Sequence, residues 1–289
     1  MILSPAERSY LYDSLIQKPP IRPDSRSGHQ FRPLEAKTAF LPSSNGSARI
    51  RLMDGSECIV SVKAKVVLKS QESSLIECDI DVSGNRDDSN FVSILKFNLT
   101  NLLCQNFPMD VLQLTSKYSY KLFIDCLVIS HTSYPLTLLS LATYLALKTT
   151  RLPLLVSDVD DSEVEEQPTF SDDWDKSKYL KEMVSSNSKF QPPIFITLGV
   201  VGDNLLFDPS TEEEQVLENG LILSWYNNKV ITPISNINLA SNSNNSNFKG
   251  MDPILISKSL ALLKKYCGEI VDALDGIIEH DDATEGGIF

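Results

Sequence analysis

Along the first third of the chain, apolar residues recur at every second position. In "IVSVKAKVV" (59–67) they alternate with Ser61, Lys63 and Lys65, the period of a strand with one buried face. "ARIRL" and "SLIECDIDV" lie on either side of this run, and Asp54-Gly55 in "MDGSE" marks a hairpin turn. Thr38 to Asp81 therefore reads as β structure. The period then lengthens. In "DDSNFVSILKFNLTNLLCQ", Phe91, Leu95, Leu99, Leu102 and Leu103 share one helical face, with Asp88 or Ser89 as cap. "LQLTSKYSYKLFIDCLVIS" predicts a strand that is apolar on both faces toward its end, as at a sheet centre. "LTLLSLATYLALKTT" is apolar almost all round and so predicts a buried helix.

Residues 155–190 break the pattern. They are acidic, polar and weakly periodic, which predicts a linker or an exposed excursion. Strand patterns resume in "PIFITLGVVGDNLLFDPS" and "GLILSWYNNKVITPISNI", the latter with a hairpin turn at Asn227-Asn228. A final helix begins at Asp252-Pro253, with Ile256, Leu260, Leu263, Cys267, Ile270, Val271 and Leu274 on its apolar face. At the other end, "SPAERSYLYDSLI" predicts a short helix capped by Ser4, followed by an extended segment punctuated by proline and arginine. The organisation expected is an N-terminal arm (1–27), a first sheet-and-helix half (28–154), the acidic excursion (155–190), a second half (191–276) and a disordered tail (277–289). Two such halves make an α+β protein with helices on one side of each sheet.

Charge changes this picture less than its total suggests. The net charge is −12, but residues 158–182 hold ten acids against three lysines, and residues 269–289 hold seven acids with no lysine or arginine. The remainder has 21 acids and 23 bases, and residues 17–65 carry nine bases against four acids. One face of the folded core is thus able to approach a phosphate backbone, although tight binding by the chain alone is not expected. No run approaches the roughly 18 apolar residues of a membrane span, and the N-terminus shows no signal-peptide core. Five cysteines without a CxxC pair point to buried thiols in a reducing compartment. The sequons at Asn45 and Asn98 then read as chance matches.

The candidate chemistry is sparse. The strand-to-helix junction His131 to Leu136 is where a helix N-terminus offers N–H groups to an anion. His131 with Asp125 lacks any indicated nucleophile, and clustered metal ligands are missing. Asp208 with Glu212 to Glu214 reads as a solvated turn, or as a weak magnesium site. Lys63 and Lys65 share one sheet face, either solvated or facing a polyanion. Arg22, Arg26 and Arg32 read as ties for the arm or as contacts to a neighbour.

Several segments, in order, resemble the RNase PH family, specifically the ring subunits of the eukaryotic RNA exosome. "IRPDSRSGHQFRPLE" is similar to the family's Arg-Pro-Asp-Gly-Arg and Arg-Pro elements, with Ser25 where glycine is usual. "MDGSECIVSVKAKV" resembles its first core hairpin, and "LGVVGDNLLFDPSTEEE" the opening of its second half. "FLPSSNGSARI" and "DSEVEEQPTF" add to the likeness, which covers roughly residues 4–275. The resemblance implies an RNase PH-like fold of the ribosomal protein S5 domain 2-like type. It also implies a place in a six-membered ring of RNase PH-like subunits, capped by OB-fold/KH proteins and threaded by RNA, in nucleus, nucleolus and cytoplasm.

Active members carry Gly-Thr-Arg, or a serine-arginine variant, at the junction. Here that triplet falls on Tyr134, Pro135 and Leu136. Proline donates no N–H and leucine supplies no charge, so the resemblance implies a degenerate phosphate loop and a non-catalytic subunit without cofactor. At the metal position Asp208 remains, but Ser210 stands two residues on. Lys96 and Lys117 bracket the region where family members direct arginines toward RNA. Two rival readings are a phosphorolytic 3′–5′ exoribonuclease and a stand-alone RNA-binding module, the latter requiring a steep salt dependence of RNA affinity.

Overall fold

A computed structural model describes residues 2–156, 168–183, 190–239 and 250–285. The alternating segments form a five-stranded sheet from β1 (Leu34–Thr38), β2 (Gly46–Leu52), β3 (Glu57–Leu68), β4 (Ile76–Val82) and β5 (Tyr118–Ser130), in the order β1-β2-β3-β5-β4. All neighbours are antiparallel except β4 and β5, which α2 (Asn90–Asn106) joins by a crossover. Ser89 is its cap, accepting from the Val92 N–H. α3 (Leu136–Lys148) leads out of β5, and a second sheet follows. It comprises β8 (Ile194–Val201), β9 (Asn204–Phe207), β10 (Asn219–Tyr226) and β11 (Lys229–Ile237), in the order β11-β10-β8-β9 and antiparallel throughout. Asn227 and Asn228 both take positive φ, as the tight turn between β10 and β11 requires.

The apolar pattern of α3 explains how the halves meet. Every residue from Leu136 to Leu147 is buried, because the helix packs on β2 and β3 on one side and on β8 on the other. The two sheet-and-helix halves therefore share one core rather than two. Leu139, Leu145, Val60 and Ile124 belong to the same cluster as Ile196, Leu223 and Cys267. The long helix α6 (Pro253–Glu285) closes this layer with Leu263, Cys267, Val271, Leu274 and Ile278.

Several expectations need correction. The end of β5 is not buried on both faces: Leu127 and Ile129 are 40% and 41% exposed, because no layer among the described residues covers the outer face of the first sheet. The tail expected to be disordered from residue 277 continues α6 to Glu285. Ile277 and Ile278 extend its apolar face, and Asp281 accepts from the Thr38 N–H and hydroxyl. Residues 286–289 lie outside the described residues. Parts of the acidic excursion are anchored. β6 (Arg151–Leu152) pairs with β7 (Lys178–Tyr179), Leu155 bridges Phe170, and Leu180, at the head of α4 (Leu180–Met183), and Phe190 are buried. The apolar residues spaced through the run are the reason. Residues 157–167 and 184–189 of that segment lie outside the described residues.

The arm is a docked element. α1 (Pro5–Leu15) has the expected Ser4 cap, completed by Glu7 as a capping box. Leu11 and Leu15 pack with Val201, Leu206, Val216, Leu217 and Leu239 of the second half.

The close approach of α3 to the first sheet rests on a glycine. A Cβ at Gly46 would lie 2.6 Å from the Ala146 carbonyl oxygen and 2.7 Å from the Thr150 Cα, both backbone atoms. Gly46→Ala is therefore expected to lose about 1–3 kcal/mol of stability, measured as a lowered urea midpoint at unchanged slope. An unaltered midpoint would show that helix and sheet separate freely there.

Candidate functional site

The junction between β5 and α3 is closed from every side the sequence left open. His131 stacks on Phe91 with ring centroids 5.6 Å apart, and Tyr134 meets the same ring edge-on at 6.0 Å. Ser133, Pro135 and Leu136 are buried. Pro135 stands at the cap of α3, which has no side-chain cap bond. The Tyr134 N–H, just ahead of the cap, donates to Glu214 Oε1 at 2.8 Å. The loop before α3 thus holds the Glu214 carboxyl. Burial pushes it up to about 8, reinforced by Asp208 and Glu213 and opposed by the Tyr134 N–H and the charge of Arg32. The His131–Asp125 pairing does not form. His131 Nδ1 faces the Ser133 carbonyl at 3.3 Å, and Asp125 lies exposed on the outer sheet face.

The segment "DPSTEEE" is not a solvated turn. Ser210 and Glu213 form a capping box around the one-turn helix α5 (Thr211–Glu214), and Asp208 and Glu213 are buried. Arg32 grips Asp208 through Nε, at 2.8 Å, and through Nη2, while its own N–H donates to Asp208 Oδ2 at 2.9 Å. Arg22 forms a two-point pair with Glu213, both contacts at 2.7 Å, and donates to the carbonyls of Phe207 and Asp208. Arg26 reaches the Asp208 carbonyl at 3.1 Å and Asp24 beside it. The three arginines therefore tie down the arm, as one of the two sequence readings held. Ser25 sits in this segment at φ +61°, the left-handed region where glycine fits without strain.

Two residues escaped the sequence reading. Asp54, taken only as a hairpin residue, accepts from Arg32, the Thr132 hydroxyl and the Ser56 N–H, and so fastens the β2–β3 turn to the junction. Glu214 was one of three consecutive glutamates. The Ser210 capping box takes up Glu213, whereas Glu214 is drawn inward only by the Tyr134 N–H of the junction folded against it.

The proposed basic residues do not converge. Lys63 and Lys65 are exposed on the outer face of the first sheet, where Lys65 lies 5.2 Å from the Phe123 ring centroid. Lys117 is exposed at the start of β5. Lys96 on α2 pairs with Asp79 at 2.7 Å. Among the described residues no group of three or more His, Cys, Asp or Glu is placed to hold a metal ion. Burial pushes the thiols of Cys78 and Cys267 up to about 12, well away from the reactive thiolate.

Two measurements test this geometry. Asp208→Ala leaves Arg32 and Arg26 buried beside a lost partner and should cost about 3–5 kcal/mol, while millimolar magnesium should leave the wild-type melting temperature unchanged; a magnesium-dependent rise would restore the metal reading. Glu214 favours its neutral form in the folded chain, so its stabilising contribution is full below its ordinary value of 4.5 and is lost as pH rises through about 8. Glu214→Gln should therefore gain on the wild type as pH rises from 5 to 9, by at least ~2–4 °C in melting temperature. A gap independent of pH would contradict the enclosure of that carboxyl.

Residues 30–153 match the RNase PH family, described as the 3′ exoribonuclease family, domain 1. The exosome complex component RRP42 of Saccharomyces cerevisiae is 48% identical over 96% of this chain and 100% of its own length. The Schizosaccharomyces pombe exosome complex component rrp42 is 31% identical over 75% of this chain and 76% of its own. Among solved structures, an Archaeoglobus fulgidus exosome with RNA bound to the active site superposes with a TM-score of 0.66 at 17% identity, over 93% of this chain and 97% of that one. Rice Rrp46 does so with a TM-score of 0.61 at 16% identity, over 88% and 98%. With the fold seen in those structures and a relative nearly half identical from end to end, the chain belongs to the RNase PH family.

Proposed function

We propose that the chain is a non-catalytic subunit of the RNase PH-like ring of the RNA exosome. It stands beside other RNase PH-like subunits and beneath an OB-fold/KH cap protein, and supports 3′–5′ RNA processing and turnover by helping thread RNA to an associated nuclease. The observation that supports this reading is the junction at Tyr134, Pro135 and Leu136, where the Tyr134 N–H is already taken by the carboxyl group of Glu214. Phosphorolysis needs phosphate held against an anionic RNA backbone by fixed donors and positive charge. Here the proline at the cap of α3 donates nothing, and Arg32 is committed to Asp208 and Asp54. Asp208, at the family's metal position, is closed in the same pairing. The end-to-end likeness to RRP42 proteins supports the assembly, and nucleus, nucleolus and cytoplasm are the compartments of this reading.

The surface is consistent with a life among neighbours. Ile94 and Phe97 on α2 are 51% and 69% exposed, and Leu127 and Ile129 lie open on the first sheet. Large apolar side chains in such numbers suit permanent interfaces. Lys63, Lys65 and Lys117 are the RNA-contact residues of this reading, and Lys96 joins them only by giving up Asp79.

Co-expression with candidate RNase PH-like partners should give a single heteromeric ring by native mass, and a monodisperse monomer in their presence would overturn the assembly. With RNA, magnesium and inorganic phosphate, the isolated chain should release no nucleoside diphosphate; release would instead favour the exoribonuclease reading.

A further inference from the structure

The far end of α3, opposite the junction, gathers aromatic rings that each attract two cations. Arg151 of β6 lies over the Tyr179 ring of β7 at 4.3 Å from its centroid, and Lys181 lies over the same ring at 4.6 Å. Arg151 also donates to the Tyr179 hydroxyl. On the first sheet, Lys65 and Lys121 both lie 5.2 Å from the Phe123 centroid, and Lys63 is the register partner of Phe123. Asn45 joins the two sets. Its side-chain amide donates to the Arg151 carbonyl at 3.1 Å, its own carbonyl accepts from the Arg151 N–H at 2.8 Å, and its side-chain oxygen accepts from Ala64, between Lys63 and Lys65, at 2.9 Å. The sets are thus about two strand spacings apart, on the order of 10 Å. Leu152 is buried, so strand alternation turns Arg151 and Tyr179 to the opposite side of their short hairpin.

The charges at this end are unevenly answered. Lys121 is neutralised by Glu72 and Glu77, at 2.7 and 3.1 Å. Arg151, Lys181, Lys63 and Lys65 form no ion pair among the described residues. Two like charges over one ring repel each other, and an anion between them relieves that repulsion. A guanidinium backed by a tyrosine ring keeps its other face free for a flat group. Phosphates spaced along a strand, with planar bases between them, meet both demands, whereas an acidic peptide meets only the first.

We propose that Arg151, Tyr179 and Lys181, bridged by Asn45 to Lys63 and Lys65, form a binding surface for single-stranded RNA. The identity of the polyanion rests on the ring-subunit reading; the anion-binding surface does not. The probe is a 5′-fluorescein oligouridylate, measured by anisotropy against salt on the assembled ring carrying wild-type chain or Lys63→Glu/Lys65→Glu/Lys181→Glu. The variant ring should assemble normally, bind at least tenfold more weakly and show a salt slope shallower by about two, since each lost phosphate contact removes roughly 0.7. Tyr179→Ala should weaken binding with little change of slope. Photo-crosslinking of 4-thiouridine RNA should label a peptide containing Tyr179. Equal affinity of wild-type and variant rings, with no label near Tyr179, overturns the proposal while leaving the ring intact. If no ring forms, the proposed function fails separately, and the same titration on the isolated chain still decides the surface. A variant that loses poly-glutamate binding but keeps RNA binding would make this a protein dock and sink the RNA assignment.

Discussion

Three guanidinium groups buried against Asp208 and Glu213 hold the rest of the site in place. Charges leave water at a cost of several kcal/mol each, and that cost is offset only when the geometry is close and the remaining donors find acceptors. The first condition is met and the second nearly so, with Arg26 Nη2 held only at 3.9 Å from Glu213. Arg22 and Arg32 bind their carboxylates at two points, and the spare N–H groups of Arg22 and Arg26 reach the carbonyls of Phe207, Asp208 and Gln30. The cluster fastens residues 22–32 across β9 and α5. Through Asp54 it also reaches the β2–β3 turn and the loop before α3.

The consequence is chemical as well as mechanical. A carboxylate that pairs with an arginine at two points is not available to magnesium. Glu214, adjacent to the cluster, turns under the junction and takes the N–H of Tyr134. The residues that keep the fold closed thus also engage the two segments, Tyr134 to Leu136 and Asp208 to Glu214, on which the proposed loss of chemistry rests.

The layering assigns the remaining surfaces. α3, α2 and α6 lie between the two sheets, so the inner faces are sealed and the outer face of the first sheet is left open. That face carries apolar Leu127 and Ile129 and, toward the far end of α3, the lysines around Phe123. The same face carries the acids Glu77, Asp79, Asp81 and Asp125, so its lysines and carboxylates are interleaved, and Lys63 and Lys65 stand on the side away from β4.

Much of this was legible in order and period. The alternation around Lys63 and Lys65, the all-apolar α3, the Ser4 and Ser89 caps and the Asn227-Asn228 turn are local features, and local sterics and hydrogen bonding suffice to specify them. That Pro135 brings no N–H to the junction was equally plain, since proline lacks its donor wherever it stands. What the sequence left open depended on contacts between distant residues. Arg32 finds Asp208 across 176 positions, and Arg151 comes beside Ala64 only through Asn45. Whether Leu127 is covered depends on a layer that the described residues do not supply, and Glu213 and Glu214 turn inward toward partners, Arg22 and the Tyr134 N–H, that are distant in sequence. Periodicity describes a residue's neighbours along the chain; the burial of a charge is decided by neighbours across it.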